Sequence, residues 1–497
     1  MVGNMHPWPT GWVSTASLLL FACTVNVSRG HEHHGEEIPE GHTVTQDPID
    51  AILWTHIIIQ TAAWGVLYPL GMVLGLVKSR FHVPVQVLAS VLAIVGYFLG
   101  HSHKGRQFSP SAHSGFANWL MLLVIGQVAL GGYLRLHLER GLFGKSRGFF
   151  VRIHKVLGIT IPLAAWVQML FGGIAMEGFC HADHLGQCLA HFIMGSAFIA
   201  YGIVLLILLL VGQVWLQRRR RSQEFFDSSL IAAWGCVNTF TEHRWGHEWA
   251  HNDIQHTSMG IVWWAAGLVG MWLSRDSNGR PKRNVIPGMV IFITGWAMSS
   301  HPQHLQLSTM MHSVFGYTLM AAGLARIIEI SFVLRDRASV TELNEHTGVT
   351  PGESGSPEHE SHSWQYLTPY LLFAGGFLFM GATEEQMAML SDAGIDHVSY
   401  ILILYSVAFV LFLFTLILIR IFATKSPGDS KQTRDSESAP MLNGHAINGH
   451  AHAAERGTAR DAEEFELDGL ISDEEDAREI GNSDGDDHDS SYRRMKA

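Results

Sequence analysis

Long apolar runs constrain this chain more than any other feature of its sequence. Runs with few or no charged residues occur at 51–77, 84–100, 115–134, 189–216, 309–333 and 397–422. Each is long enough, or nearly so, for the roughly 20 residues that cross a bilayer as a helix. Because hydrocarbon offers no hydrogen-bond partner, the backbone groups of such a run must be satisfied within a helix. The sequence therefore predicts an all-α, polytopic membrane helix bundle rather than a soluble enzyme.

The apolar runs and some shorter apolar stretches together predict about eleven transmembrane helices. We expect them near 51–77, 82–100, 113–134, 154–176, 189–216, 226–241, 256–273, 284–300, 309–333, 364–388 and 397–422. Basic residues concentrate in alternate loops, for example Arg218–Arg221 after the fifth predicted helix. Because basic loops stay in the cytosol, the N-terminus is predicted to be lumenal or extracellular and the C-terminus cytosolic.

The two ends of the chain differ from its apolar middle. Residues 1–30 contain a short apolar stretch followed by small residues, which predicts a signal peptide; a retained anchor is the alternative, because basic residues are almost absent before the stretch. Residues 31–50 form a lumenal segment rich in His and Glu. Residues 426–497 are acidic and poor in aromatic residues, which predicts a disordered cytosolic tail. The net charge of -11 lies largely in that tail and therefore says little about partners. The apolar runs predict the lipid membrane as a partner, and no nucleic-acid partner is expected.

Four histidines of the first half share one position, at or just inside the start of a predicted helix: His56, His82, His113 and His154. Because consecutive helices are antiparallel, His56 and His113 are expected at the lumenal edge. The other two are expected at the cytosolic edge. Two imidazoles from facing helices can hold a haem iron from both sides, and ionisable residues in membrane helices point to function. The alternative is that these histidines only hydrogen-bond to lipid headgroups.

Glycines near these histidines are expected to let a flat ring approach closely, among them Gly75 in the first helix and Gly115 and Gly126 in the third. Elsewhere, Cys180 and Cys188 flank one short loop that the topology makes lumenal. Because the lumen is oxidising, these cysteines can form a disulfide. Two free thiols are the alternative.

Short motifs surround the four histidines: H-x(7)-W-G-x(3)-P-L-G from His56, H-S-G from His113 and H-K-V-L-G from His154. With these motifs, about residues 51–175 resemble the cytochrome b561/ferric-reductase family. The resemblance implies a five-helix domain over 51–216 that holds two b-type haems. One would be bound by His56 and His113, and the other by His82 and His154. No counterpart of the ascorbate-binding segment found in the ascorbate-dependent members is visible, so the electron donor stays unknown.

The whole chain resembles the fungal Ytp family of integral membrane proteins, in which a b561-like half precedes a His-rich half, here 217–425. Candidate metal ligands in predicted lumenal loops of that half are His243, His247, His251, His256, His301, His304, His312 and Glu384. Such ligands suit zinc, copper or iron, and a further haem is also open. The alternatives are a wet interface rim and a histidine switch that senses lumenal pH. HEWAH (247–251) matches a zinc-protease motif, but a chance match is expected in so His-rich a stretch.

Three functions follow from these features. The first is a b561-type oxidoreductase that moves electrons through two haems, from an unknown cytosolic donor to an unknown lumenal acceptor such as a ferric or cupric ion. The second is a non-redox metal-binding or transport protein that uses the lumenal histidines. The third is a structural or trafficking protein whose working part is the acidic tail. The predicted signal peptide indicates a membrane of the secretory pathway: endoplasmic reticulum, vacuole or plasma membrane.

Overall fold

The computed structural model describes residue 38 and residues 42–136, 146–243, 246, 248–300, 303–334 and 362–425. Within these residues the regular secondary structure is helical, apart from two isolated β-bridges. The prediction of an all-α membrane bundle is therefore confirmed. The predicted signal peptide 1–30 and the predicted tail 426–497 lie outside the described residues.

We number the main helices of the described residues in chain order. They are α1 Ala51–Leu76, α2 His82–Ser102, α3 Ala112–Arg135, α4 Arg147–Glu177, α5 Leu185–Leu210, α6 Gln223–Thr241, α7 His251–Leu273, α8 Ile286–Ser299, α9 Gln306–Ile328, α10 Leu367–Met380, α11 Glu384–Asp392 and α12 His397–Lys425. A short helix, Gln213–Arg219, follows α5. Every predicted helical segment coincides with one of these helices, except that 364–388 is divided between α10 and α11.

Seven helical segments of the described residues are long and apolar enough to cross a membrane, formed by α1 to α5, α9 and α12. The bent pair α10 and α11 would be an eighth if it is one span, and α8 is a shorter apolar helix. Helix α6 is not among them, because Glu224, Asp227 and Asn238 interrupt its apolar surface. Length and composition thus support seven or eight spans; the count of eleven and the orientation of the chain stay predictions.

The predicted tenth helix is broken because a new helix starts within it. Thr383 caps the N-terminus of α11 through a capping box with Gln386, in which each side chain accepts the other's backbone N–H. This arrangement satisfies the first amides of α11 without help from α10. The two helices consequently meet at an angle of 74°.

Helices α1 to α4 pack around one apolar cluster, which contains Trp64, Ala93, Val124 and Ile161 from the four helices in turn. Within α1, residues Thr61–Leu67 form a π-helix, which holds one more residue per turn than an α-helix. Pro69 follows directly and has no amide hydrogen to offer the preceding turn. Because of the extra residue, positions at the two ends of α1 are separated by one more residue than the equivalent positions of the other three helices.

The second half is built on close contacts between glycine-bearing helices. On α8 and α9, Gly295 and Gly316 approach so closely that a Cβ on either would meet the other's carbonyl oxygen at 2.5 Å. Gly195 of α5 and Gly376 of α10 approach in the same way, at 2.6 Å. Small residues allow helix backbones to pack at this distance in membranes. Around them lies the main apolar cluster of this half, which includes Phe315, Leu319 and Phe379.

Candidate functional site

The four histidines of the first half meet in the two pairs that the sequence predicts. The ring centroids of His56 and His113 lie 6.2 Å apart, with the ring planes at 88°. Those of His82 and His154 lie 6.4 Å apart, with the planes at 87°. The first pair joins α1 to α3 and the second joins α2 to α4. The pairs lie at opposite ends of the four-helix bundle, since the helices are antiparallel.

These separations equal those of two imidazoles on opposite sides of one metal ion. A metal–nitrogen bond of about 2.0 Å, plus about 1.1 Å from nitrogen to ring centroid, places two opposed rings about 6.2 Å apart. Two imidazoles in a tetrahedral site would instead have their centroids about 5.1 Å apart. The centroid separations of both pairs are therefore compatible with two ligands on opposite sides of one ion, and they exceed the separation expected in a tetrahedral zinc site.

Backbone carbonyls of neighbouring helices orient the rings. His56 Nδ1 donates to the carbonyl oxygen of Gly96 at 2.7 Å, and His82 Nδ1 donates to that of Gly71 at 2.8 Å. Because a carbonyl oxygen only accepts, this tautomer leaves the lone pair on Nε2, the nitrogen that can bind a metal. His154 differs, since its buried Nδ1 has no hydrogen-bond partner among the described residues.

Two glutamines tie α3 to α4 beside the other histidines. The Gln168 side-chain amide donates to the His113 carbonyl oxygen at 2.9 Å, and its nitrogen lies 3.0 Å from His113 Nδ1. The Gln127 amide donates to the His154 carbonyl oxygen, also at 2.9 Å. The two contacts are reciprocal between the helices, so each glutamine holds the backbone that carries the opposite histidine.

Each ring also packs against a glycine of the helix beside it: Gly100 against His56, Gly75 against His82, Gly172 against His113 and Gly131 against His154. A Cβ at these positions would lie 2.7, 2.8, 3.1 and 3.2 Å from the respective ring. At Gly115 and Gly126 a Cβ would meet nothing within 4 Å. The expectation that glycines let the flat ring of a cofactor approach closely stays a prediction.

A spacing in the sequence could have revealed these glycines. His82 and Gly100 are 18 positions apart, and the same number separates the histidine from the glycine on α3 and on α4. On α1 the separation from His56 to Gly75 is 19. The π-helix of α1 holds the additional residue. Each of the four helices therefore carries a histidine near one end and, near the other end, a glycine that contacts the histidine of a neighbouring helix.

Two clefts adjoin the four-helix bundle, and one of them includes a histidine of the two pairs. All four rings are half-buried rather than enclosed. A largely apolar cleft of about 430 Å³ runs between α2 and α3; its lining residues are Ile94, Tyr97, Phe98, Asn118, Met121, Leu122 and Ile125. A second cleft, of about 210 Å³, includes His113 in its wall. The larger cleft falls within the roughly 300–1,000 Å³ of typical ligand pockets, and none of the four histidines lines it.

Asp50 fixes the start of α1, one turn before His56. Its carboxylate accepts from the backbone N–H of Leu53 at 2.8 Å and of Lys104 at 3.0 Å. These two bonds, that from Lys104 first, lower the pKa of the Asp50 carboxyl. The contact joins α1 to the loop after α2, and so keeps the neighbours of His56 in register.

The candidate metal ligands of the second half divide into separate pairs. His243 Nδ1 lies 3.1 Å from an Asp253 carboxylate oxygen, and His256 Nδ1 lies 3.2 Å from one of Glu242. Glu384 is 3.7 Å from His184.

The remaining candidates do not complete a site among the described residues. His251 and His304 are exposed, and His247 and His301 lie outside the described part of the chain. Within the described part, one group of three His, Cys, Asp or Glu residues has ligand atoms in mutual reach: Cys180, Cys188 and Glu385. The cysteines of that group form a disulfide. A metal cluster of all the candidates therefore stays a prediction.

The loop between α4 and α5 is closed by the disulfide Cys180–Cys188, which decides the question that the sequence left open. The Cys180 N–H donates to Glu385 at 2.8 Å, so the loop also contacts α11. Sequence reasoning missed a further residue. His191 on α5 pairs with His312 at 5.9 Å between ring centroids, and its position inside a long apolar run was the available signal.

Comparison with known proteins identifies the family of this chain. Residues 164–423, just over half of the chain, match a family model described as protein YTP1-like, C-terminal. The chain belongs to this YTP1-like family. Residues 36–137 match a domain of unknown function, DUF2427. The predicted resemblance to the Ytp family is thus confirmed, whereas the resemblance of the first half to cytochrome b561 stays a prediction.

Individual relatives of this YTP1-like chain are fungal. It is 43% identical over 299 residues to protein YTP1 of Saccharomyces cerevisiae, an alignment that covers 59% of this chain and 60% of that protein. It is 23% identical over 467 residues to an uncharacterized membrane protein of Schizosaccharomyces pombe, covering 68% and 87% respectively. No solved structure matches. The names of the relatives support an integral membrane protein and do not assign a reaction.

Proposed function

We propose that the first half of this YTP1-like protein binds two b-type haems and carries electrons across the membrane. The net reaction removes one electron from a cytosolic reductant and adds it to a lumenal oxidant, such as a ferric or cupric ion. One observation carries the proposal: two crossed imidazole pairs lie at opposite ends of one bundle, and each has a ring separation at which its two histidines would hold one iron.

The residues present fit haem in three respects. His56 and His113 would hold one group and His82 and His154 the other, and their centroid separations match opposed ligands. The rings are half-buried rather than enclosed in a packed core, and His113 lines a cleft of about 210 Å³. Glycine on the neighbouring helix leaves room at the side of every ring. Bound haem would supply one-electron exchange at its iron.

The chain's own groups would hold and tune these ligands. The carbonyl oxygens of Gly96 and Gly71 fix the tautomer and rotation of His56 and His82, and a hydrogen bond of this kind raises the basicity of a ligand imidazole. A more basic ligand favours the oxidised metal. Because the rings sit on packed helices and not on loops, they would move little when the charge at the site changes.

Charge at the predicted cytosolic mouth would favour an anionic reductant. Lys78 and Arg80 precede His82 in the loop between α1 and α2, and Arg152 and Lys155 flank His154. Basic residues at the mouth of a site raise the local concentration of anionic reactants.

A spectrum of the purified, full-length protein tests the proposal. After haem-replete expression, the reduced-minus-oxidised difference spectrum should contain b-type bands equivalent to two haems per chain. His56→Ala and His82→Ala should each remove about one of the two. The matched control is His101→Ala, because His101 is exposed and bonds only to its own helix, at Tyr97 O.

A flat difference spectrum would refute the haem proposal. Zinc or copper without haem in the same preparation would favour the alternative of a metal-binding or transport protein without redox chemistry. Equal haem content in His56→Ala, His82→Ala and the control would show that haem binds elsewhere.

A further inference from the structure

Helices α5 and α9 bring together a third pair of imidazoles, His191 and His312. Their ring centroids lie 5.9 Å apart, with the planes at 82°. These values are close to those of the two pairs in the first half. The surroundings differ, because His191 is 7% exposed and His312 is 3% exposed.

Each ring of the third pair is oriented by its own helix. His191 Nδ1 donates to the carbonyl oxygen of Gln187 at 2.8 Å, and His312 Nδ1 donates to that of Ser308 at 2.9 Å. Both acceptors lie four residues earlier, one turn back along the helix. As in the first half, this tautomer places the lone pair on Nε2 of both rings.

The space around the third pair suits a single ion and not a porphyrin. Phe379 stacks on the His191 ring at 4.5 Å and 12°, and Phe315 packs against Phe379 at 4.7 Å. Phe315 and Phe379 belong to the main apolar cluster of the second half. A flat macrocycle between these rings would have to displace that packing, whereas the four rings of the first half are only half-buried.

The composition of the apolar cluster around the third pair favours a soft ion. The cluster that contains Phe379 includes or packs against five methionines: Met194, Met259, Met298, Met311 and Met387. Thioether and imidazole together favour copper(I) over zinc. The separation agrees, because 5.9 Å is nearer to the about 6.2 Å of two opposed ligands than to the about 5.1 Å of a tetrahedral zinc site.

We infer that His191 and His312 bind one copper(I) ion through their Nε2 atoms, within the methionine-rich core of the second half. The ion lies near the first turns of α5 and α9, on the face that the predicted topology makes lumenal. This site is separate from the haem ligands, so it stands or falls independently of electron transfer through the first half.

Copper stoichiometry tests this site. The purified full-length protein is loaded with copper(I) under anaerobic, reducing conditions and desalted, and copper and zinc per chain are measured by mass spectrometry. His191→Ala and His312→Ala should each lose one equivalent of copper relative to the wild type. His101→Ala is the control, because His101 is exposed, lies on α2 and is not among the candidate metal ligands. It should retain the full copper content.

Equal copper in the wild type and both variants, or no copper in the wild type, would overturn the inference. Preferential retention of zinc, or loss of one haem in place of copper from the variants, would overturn it as well. If the alanine variants aggregate, X-ray absorption of the copper-loaded wild type decides the matter. Imidazole scattering in the first shell supports the site, and its absence excludes it.

Discussion

Alanine in place of Gly75 tests whether packing against glycine sets the position of His82, a proposed haem ligand. A Cβ at this position would lie 2.8 Å from His82 Nδ1 and 2.9 Å from its Cε1. Ordinary van der Waals contact begins at 3.4 Å, so the ring must retreat by about 0.6 Å. It cannot do so freely, because its Nδ1 donates to Gly71 O at 2.8 Å.

The magnitude follows from these two constraints. Weakening the Nδ1 hydrogen bond costs about 1 kcal/mol, and overpacking a fitted contact costs about 1–3 kcal/mol. The sum, about 2–4 kcal/mol against the ligated state, corresponds to a fall in haem affinity of about 30- to 1,000-fold. The loss should affect the His82–His154 site and leave the His56–His113 site loaded, so about half of the haem is lost.

Gly65→Ala is the control on the same helix. Its Cβ would meet its nearest neighbours at 3.9 and 4.0 Å, which is ordinary contact. The assay is a haem titration of each apoprotein, followed by absorbance, together with the haem content of the protein as purified. If Gly75→Ala binds both haems as tightly as Gly65→Ala does, the reasoning that glycine packing positions the ligand is refuted.

Two further predictions concern stability, measured as thermal unfolding in detergent. Arg326→Met should cost about 3–5 kcal/mol, because Arg326 is buried and its guanidinium lies 2.9 Å from Glu224 and 2.8 Å from Glu329, which would be left uncompensated. Adding Glu224→Gln should restore part of the loss; an unchanged Tm in the single variant would contradict this account. Cys180→Ser should cost about 2.5 kcal/mol, from the loop entropy that the bond to Cys188 removes from the unfolded chain. Reductant should then lower the Tm of the wild type but not of the variant, and equal responses would exclude the bond as a stabilising element.

The buried ion cluster also shows how a charged residue can lower the hydropathy of a helix that packs inside this protein. Glu224 on α6 is enclosed through its contact with Arg326 of α9, and not through an apolar environment of its own. A charged residue lowers the mean hydropathy of its helix, so the sequence predicts that helix only weakly as a membrane span. Whether it lies in lipid contact or behind other helices is decided by its neighbours.

The candidate site was predictable as far as helix order determines it. A histidine near the start of each of four antiparallel helices must fall at alternate ends, so the partners of His56 and His82 followed from the sequence. The sequence did not predict which residues contact the rings. Gly100 and Gly172 contact their histidines because of how the helices are rotated about their axes, and that rotation depends on packing across the whole bundle.

The sequence alone determined that this chain is a helical membrane protein and which four imidazoles form pairs in its first half. Apolar length and alternating position suffice for these conclusions, since both are properties of consecutive residues. The tertiary structure decided the break before Thr383, the carbonyls that orient His56 and His82, and the pairing of His191 with His312. Each of these depends on contacts between residues far apart in the chain, or on a local cap competing with helix continuation, and no periodicity in the sequence encodes them.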